Sequence, residues 1–216
     1  MTPKFDPNLL PASPDLSFEI PFWEKGLLHI AGIDEAGRGA LAGPVAGGAV
    51  VLPPDPDIDR LLEGVRDSKQ MTPLQRAFWA NRLKEIALAW GIGFASNHEI
   101  DELGIVPATR LAVRRAMAQL SIRPDHLLVD YLDLPGSSVP FTPLVKGDAR
   151  SLSIAAASIL AKTGRDALLV EMDARYPGYG FADHKGYGTR AHLSNLENLG
   201  PCTVHRLSFA PLKSSV

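Results

Sequence analysis

The chain has 216 residues, 45% hydrophobic and 21% charged, which is ordinary globular composition and length enough for one larger domain with a buried core. Its net charge of -2, from 22 basic and 24 acidic residues, lacks the basic excess common in nucleic-acid binders, although acids gathered at one site can mask a basic surface elsewhere. The single cysteine, Cys202, excludes an internal disulfide and points to a cytosolic compartment; no apolar run of about 18 residues or basic-then-apolar start announces a membrane span or a signal peptide.

Residues 1–25 carry Pro3, Pro7, Pro11, Pro14 and Pro21 and read as an extended or loosely ordered lead-in. Leu27 to Ile33 is the first predicted strand. Pro44 to Leu52 is a second, closed by Pro53-Pro54. Thr72-Pro73 starts a helix, with threonine as cap and proline in the first turn, expected to run to about Trp90. Gly91 to Ala95 is a short strand. Pro107 to Leu120 has apolar residues at helical spacing, with Arg110, Arg114 and Arg115 on the wet side. His126 to Val129 is an apolar strand running into Asp130, and residues 132–140 form a Pro/Gly/Ser loop. Phe141 to Val145 is a strand ending near Lys146-Gly147-Asp148. Ser151 to Arg175 is a long helix opened by small residues, and Tyr176 to Val216 is glycine-rich, then weakly helical.

Strands alternating with helices argue for an α/β sheet covered on both faces, whose ligands gather at the carboxyl ends of the strands. Asp34-Glu35, Asp130 and Asp148 each follow a predicted strand. Burying unpaired carboxylates is expensive, so their convergence argues for bound cations. Divalent ions of the hard type take carboxylate oxygens, and two such ions can promote phosphoryl transfer. Taken singly, each acid reads first as a helix cap or turn former; Asp148 could cap the helix at Ser151.

Two resemblances fail on spacing. Gly37-Arg38-Gly39 with Gly43 is close to a dinucleotide fingerprint, but Pro44-Val45 continues as a strand instead of a phosphate-binding helix. Lys162-Thr163-Gly164 suggests a penicillin-recognising motif, but Ser158 lies four residues before Lys162 instead of three.

Six ordered blocks resemble the ribonuclease HII family, the type 2 ribonucleases H. They are Gly32 to Gly39 with Gly43-Pro44-Val45, Asp67-Ser68-Lys69, Ser96 with Glu99-Ile100-Asp101, Leu128-Val129-Asp130, Lys146-Gly147-Asp148 with Ser153 to Lys162, and Tyr176 to Phe181 with His184 to Thr189. The resemblance implies a ribonuclease H-like α/β fold: a five-stranded mixed sheet with helices on both faces (residues 26–175), then a helical C-terminal extension (176–216) behind the lead-in (1–25). It implies an endonuclease that cuts the RNA strand of RNA/DNA hybrids and nicks duplex DNA 5′ to an embedded ribonucleotide, leaving 3′-hydroxyl and 5′-phosphate ends. Its setting would be ribonucleotide excision in DNA replication and repair. Asp34, Glu35, Asp130 and Asp148 would bind two divalent cations, Mg2+ or Mn2+. Gly37, Arg38 and Gly39 would sense the ribose 2′-hydroxyl, Tyr187 would stack under the following deoxyribose, and Lys69 and Lys162 are candidate phosphate contacts.

The group that tells RNA from DNA is the 2′-hydroxyl. Lys162 and Arg165 could reach the substrate or decorate a wet face, Lys69 could sit on a solvated turn, Arg38 could make a surface salt bridge, Tyr187 could pack in the core, and His184 could aid proton transfer or be structural. Two positions depart from the family pattern: Tyr131-Leu132 follows Asp130 where glycine and asparagine are common, and Gly104 stands where asparagine is common. A cytoplasmic monomer with no membrane association is expected. The competing readings are a non-catalytic nucleic-acid-binding module with a degenerate site and a dinucleotide oxidoreductase.

Overall fold

The computed structural model describes residues 10–213. Five strands form one mixed sheet: β1 (Ile30–Ala36), β2 (Val45–Val51), β3 (Ala89–Ala95), β4 (His126–Asp130) and β5 (Phe141–Leu144). Their order is β3-β2-β1-β4-β5, with β1 antiparallel to β2, β2 antiparallel to β3, and β4 parallel to both β1 and β5.

The helices are α1 (Ile20–Trp23), α2 (Ile58–Leu61), α3 (Pro73–Ile86), α4 (Asn97–Leu103), α5 (Ile105–Met117), α6 (Leu152–Arg175), α7 (Phe181–His184) and α8 (Arg190–Leu199). None of the described helices is long and apolar enough to cross a membrane. Strand side chains alternate between faces, so the sheet has two cores. Val50 and Leu52 pack with Leu83 of α3 and with Leu152, Ile159 and Leu160 of α6. Ala31, Ile33, Ala49 and Val51 pack on the other face with Val113 and Ala116 of α5. Both helices lie unusually close to the strands. A Cβ on Gly32 would stand 2.0 Å from the Ser153 carbonyl carbon of α6, and one on Gly93 would stand 2.2 Å from the Ala112 oxygen of α5.

Several predicted boundaries move. The helix expected to reach Trp90 stops at Ile86; Ala87 turns extended, and Trp90 pairs with Val50 in the β2–β3 ladder. The residues Ala-Trp-Gly-Ile-Gly-Phe-Ala alternate small and large, with the small ones buried, which is a strand's period of two. The first strand starts at Ile30 instead of Leu27. Helix α4 was not anticipated, although Ser96 and Glu99 make a capping box at its start. The described part of the proline-rich lead-in is not loose: Leu16 and Glu19 are buried, and α1 packs on the body of the fold. The positions 1–9 of that lead-in lie outside the described residues.

Candidate active site

The β1–β4 register pairs Ile33 with Val129, so Asp34 and Asp130 follow at the same level on neighbouring parallel strands. Alternation puts both on the face covered by α6. Asp148 comes from the turn between β5 and α6, where Gly147 donates its N–H to Asp130 Oδ1 at 2.7 Å. Carboxylate oxygens of Asp34, Asp130 and Asp148 all lie within 4.8 Å of one another. The helix-cap alternative for Asp148 falls, because Ser151 itself accepts from Ile154 N–H at the start of α6.

Glu35 is set off from this trio. It follows Asp34 directly and lines the same groove, where the charges of Lys69 and Asp148 act on it. Its Oε1 accepts from Arg38 Nη1 at 3.2 Å, while Oε2 is buried without a hydrogen-bond partner among the described residues. Burial pushes the Asp34 carboxyl well above its usual range, and the neighbouring charges of Glu35, Asp130 and Asp148 add to it. Burial and then Asp148 push Asp130 up to about 6, and burial also raises Glu35. A set of crowded, mutually repelling oxygen donors is what a hard divalent cation neutralises.

A groove of about 510 Å³ opens beside the acids. Asp34, Glu35, Asp130, Gly37, Arg38, Gly39, Lys69, Lys162 and Tyr187 all line it, together with Ser68 and Arg76. Lys69 Nζ lies 3.3 Å from Asp148 Oδ2. Burial works against its charge, but the carboxylates of Asp148, Asp67 and Asp34 outweigh it and hold the ammonium above its usual range. Ser68 reaches Ser158 Oγ at 2.8 Å, and Ser158 hydrogen-bonds Asp34. Lys162 bonds Asp166 at 2.7 Å and stands 5.5 Å from the Tyr187 ring centre.

The glycine-arginine-glycine loop rests on two arginines. Gly37 has φ +90°, and a Cβ there would come within 1.9 Å of Arg165 Nε, so only glycine serves both the backbone and the neighbour. Arg165 lies fully buried, which removes the wet-face reading. It donates to the carbonyls of Pro44, Lys185 and Ala42 at 2.8, 2.9 and 3.0 Å. Arg206, equally buried, donates to the carbonyls of Gly43, Arg38, Gly37 and Pro44.

With this geometry in hand, the comparison with known proteins is direct: the sequence model for Ribonuclease HII matches residues 31–212. The chain belongs to the ribonuclease HII family. The Ribonuclease HII of Moorella thermoacetica is 54% identical over 192 residues, covering 87% of this chain and 91% of its own. That of Synechococcus sp. (strain JA-3-3Ab) is 52% identical over 200 residues, covering 93% and 90%. Among solved structures, ribonuclease H2 from Pyrococcus horikoshii OT3 superposes with TM-score 0.72 at 27% identity, covering 86% of this chain and 95% of its own. The chain is therefore an enzyme, a metal-dependent ribonuclease H acting on nucleic acid, with the five-stranded mixed sheet and helical C-terminal region expected of it.

Within this ribonuclease HII frame, sequence reasoning missed the supports. Ser68, Ser158, Arg76 and Arg206 touch the groove or its walls, and Glu19 grips the start of α6. Glu19 Oε1 accepts from Ser151 Oγ, Ser153 Oγ and Ser153 N–H at 2.6, 2.6 and 3.0 Å. A glutamate in a proline-rich lead-in carries no local signal of a partner 132 residues away. His184 is structural: Nδ1 accepts from Gly186 N–H and Nε2 donates to the Tyr179 carbonyl, so both nitrogens are engaged. The departure at Tyr131 also has a backbone consequence. Its φ of +41° is a left-handed conformation that favours glycine, while Leu132 beside it is buried. Gly104, at φ +84°, is the joint between α4 and α5.

Proposed function

We propose that the chain cuts the RNA strand of RNA/DNA hybrids and nicks duplex DNA on the 5′ side of a single embedded ribonucleotide, leaving 3′-hydroxyl and 5′-phosphate ends. The observation that carries this reading is a single groove lined by Asp34, Glu35 and Asp130, the Gly37-Arg38-Gly39 loop and Tyr187 together. A nuclease that recognises a junction needs its cleavage chemistry, a ribose reader and a deoxyribose reader within a few nucleotides of each other.

Asp34, Glu35, Asp130 and Asp148 would hold two divalent cations, magnesium or manganese. The donor set fits: all oxygen, largely buried, and crowded by like charge. Bound there, such a pair of ions activates water and stabilises the leaving oxygen of phosphoryl transfer. The protein's own residues do the rest. Glycines at 37 and 39 let main-chain groups approach a sugar closely. Arg38 can meet a phosphate as a planar fork, and Lys69 and Lys162 neutralise backbone phosphates. Tyr187 offers a ring under the deoxyribose that follows the junction. In this reading residues 26–175 form the catalytic unit, residues 176–216 supply Tyr187, residues 1–25 lead in, and the enzyme works as a cytoplasmic monomer.

The test is a nicking assay on a duplex carrying one ribonucleotide, with magnesium, manganese and chelator compared. Cutting on the 5′ side of the ribonucleotide, dependent on either metal, is expected. Binding without cutting in both metals would favour the degenerate module instead.

A further inference from the structure

Arg165 and Arg206 are fully buried, and among the described residues neither guanidinium has a carboxylate within salt-bridge distance. Unpaired buried charge is costly, and a merely structural post would be as well served by apolar packing. Every hydrogen bond these two guanidiniums make goes to a main-chain carbonyl. All but one of those carbonyls belong to the segment from Gly37 to Pro44.

The direction of these bonds matters. In a trans peptide the carbonyl oxygen and the following N–H point opposite ways. Arg206 holds the Gly37 carbonyl at 2.8 Å and the Arg38 carbonyl at 2.9 Å. The N–H groups of Arg38 and Gly39 therefore face away from Arg206. Among the described residues neither N–H has an acceptor, Gly37 beneath them is buried, and Gly39 is exposed in the groove wall. A carbonyl that accepts from a cation also polarises its peptide, which strengthens the N–H at the other end.

We propose that Arg206 is a positioning residue for ribose recognition: backed by Arg165, it fixes two adjacent peptide planes so that the Arg38 and Gly39 N–H groups stand ready for the ribose 2′-hydroxyl oxygen. This rests on the ribose-sensing reading of the loop given above. Arg165 extends the same device. It holds the Lys185 carbonyl next to Tyr187, and its guanidinium carbon lies 5.4 Å from the Tyr187 ring centre. The ribose reader and the deoxyribose reader thus share one support. Burial and the neighbouring Arg165 bring the Arg206 guanidinium down to about 9, which still leaves it charged at neutral pH.

The experiment compares the wild type with Arg206→Met and Arg206→Lys, in chelator so that no strand is cut. Affinity is measured for a duplex with one ribonucleotide and for the same duplex in DNA alone; manganese binding is titrated separately. Arg206→Met should lower the preference for the ribonucleotide duplex about tenfold, Arg206→Lys should restore part of it, and manganese affinity and all-DNA binding should stay within about twofold. Unchanged preference in a folded variant overturns the proposal, and so does manganese affinity falling in step with it. A wild type with no preference at all would sink the ribose-sensing reading itself, and this inference with it. A readout on the wild type guards against a variant that fails to fold. Backbone order parameters of Arg38 and Gly39 in the free protein should match the rigid strands at about 0.85; values below about 0.6 would show a loop that is not held in advance.

Discussion

The carboxylate of Glu19 accepts both the N–H and the hydroxyl of Ser153, five residues beyond Asp148. It also takes the Ser151 hydroxyl, and Asp15 adds two backbone bonds, its N–H to the Arg150 carbonyl and its carbonyl to the Leu152 N–H. Residues of the lead-in thus clamp the turn that carries one of the three gathered carboxylates. A negative side chain at a helix N-terminus is favoured by the exposed N–H groups and the helix dipole.

Removing that clamp should be felt in stability and at the site. Glu19→Ala is expected to cost about 2–3 kcal/mol, from lost charge-assisted hydrogen bonds and stranded buried donors. The urea midpoint measures it. Glu19→Gln, which keeps an acceptor oxygen, should lose less than half as much. Equal losses would mean that the negative charge, and not the acceptor oxygen, carries the clamp.

The buried histidines should set the acid limit of the fold. His192 Nδ1 donates to the Tyr187 carbonyl, so its Nε2 must accept from His205 Nε2 at 3.1 Å, and His205 Nδ1 accepts from the Cys202 N–H. Protonating either ring sets two N–H groups against each other. Burial accordingly pulls His192 down to about 4. A histidine with a depressed folded pKa adds stability that is complete above its unfolded value near 6.5 and is lost as pH falls from there toward 4. The expected loss is about 2–3 kcal/mol across that window. In His192→Gln the slope of melting temperature between pH 6.5 and 4 should flatten; an unchanged slope would assign the acid limit to other groups.

Replacing one carboxylate of the trio should separate activity from stability. Asp34→Asn is expected to abolish cleavage while hybrid binding survives. In chelator it should raise stability by about 1–3 kcal/mol by relieving repulsion in a buried acid cluster. The sign follows from the raised pKa of Asp34: its carboxyl favours the folded state below the unfolded value and opposes it as pH rises through the folded one. Melting with and without magnesium checks both halves. Near-normal turnover in magnesium would defeat the assignment.

Gly37→Ala tests the loop without replacing an acid or an arginine. A methyl there meets the Arg165 side chain and adds strain at a positive φ. A loss of about 1–3 kcal/mol is expected, with cleavage reduced further per folded molecule, because the displaced group is the loop's own support. Calorimetry beside specific activity separates the two. A variant that melts like the wild type would mean that Arg165 moves aside freely.

The gathering of Asp34, Asp130 and Asp148 was legible in the sequence. Apolar runs ending in Asp34-Glu35, in Asp130 and just before Asp148 mark strand ends, and strand ends converge in an α/β sheet. The starts of α3 and α6 were legible too, because Thr72 and Ser151 cap their own chain within three residues. Local hydrogen bonds and periodicity write themselves into neighbouring residues. What only the tertiary structure decided is how these parts are held: that Glu35 pairs with Arg38 beside the trio, that Glu19 reaches across the chain to α6, and that Arg165 and Arg206 turn inward beneath the loop. The partners of those two arginines are main-chain carbonyls, which every residue carries alike. No side-chain pattern could have announced them until the fold brought the backbone within reach.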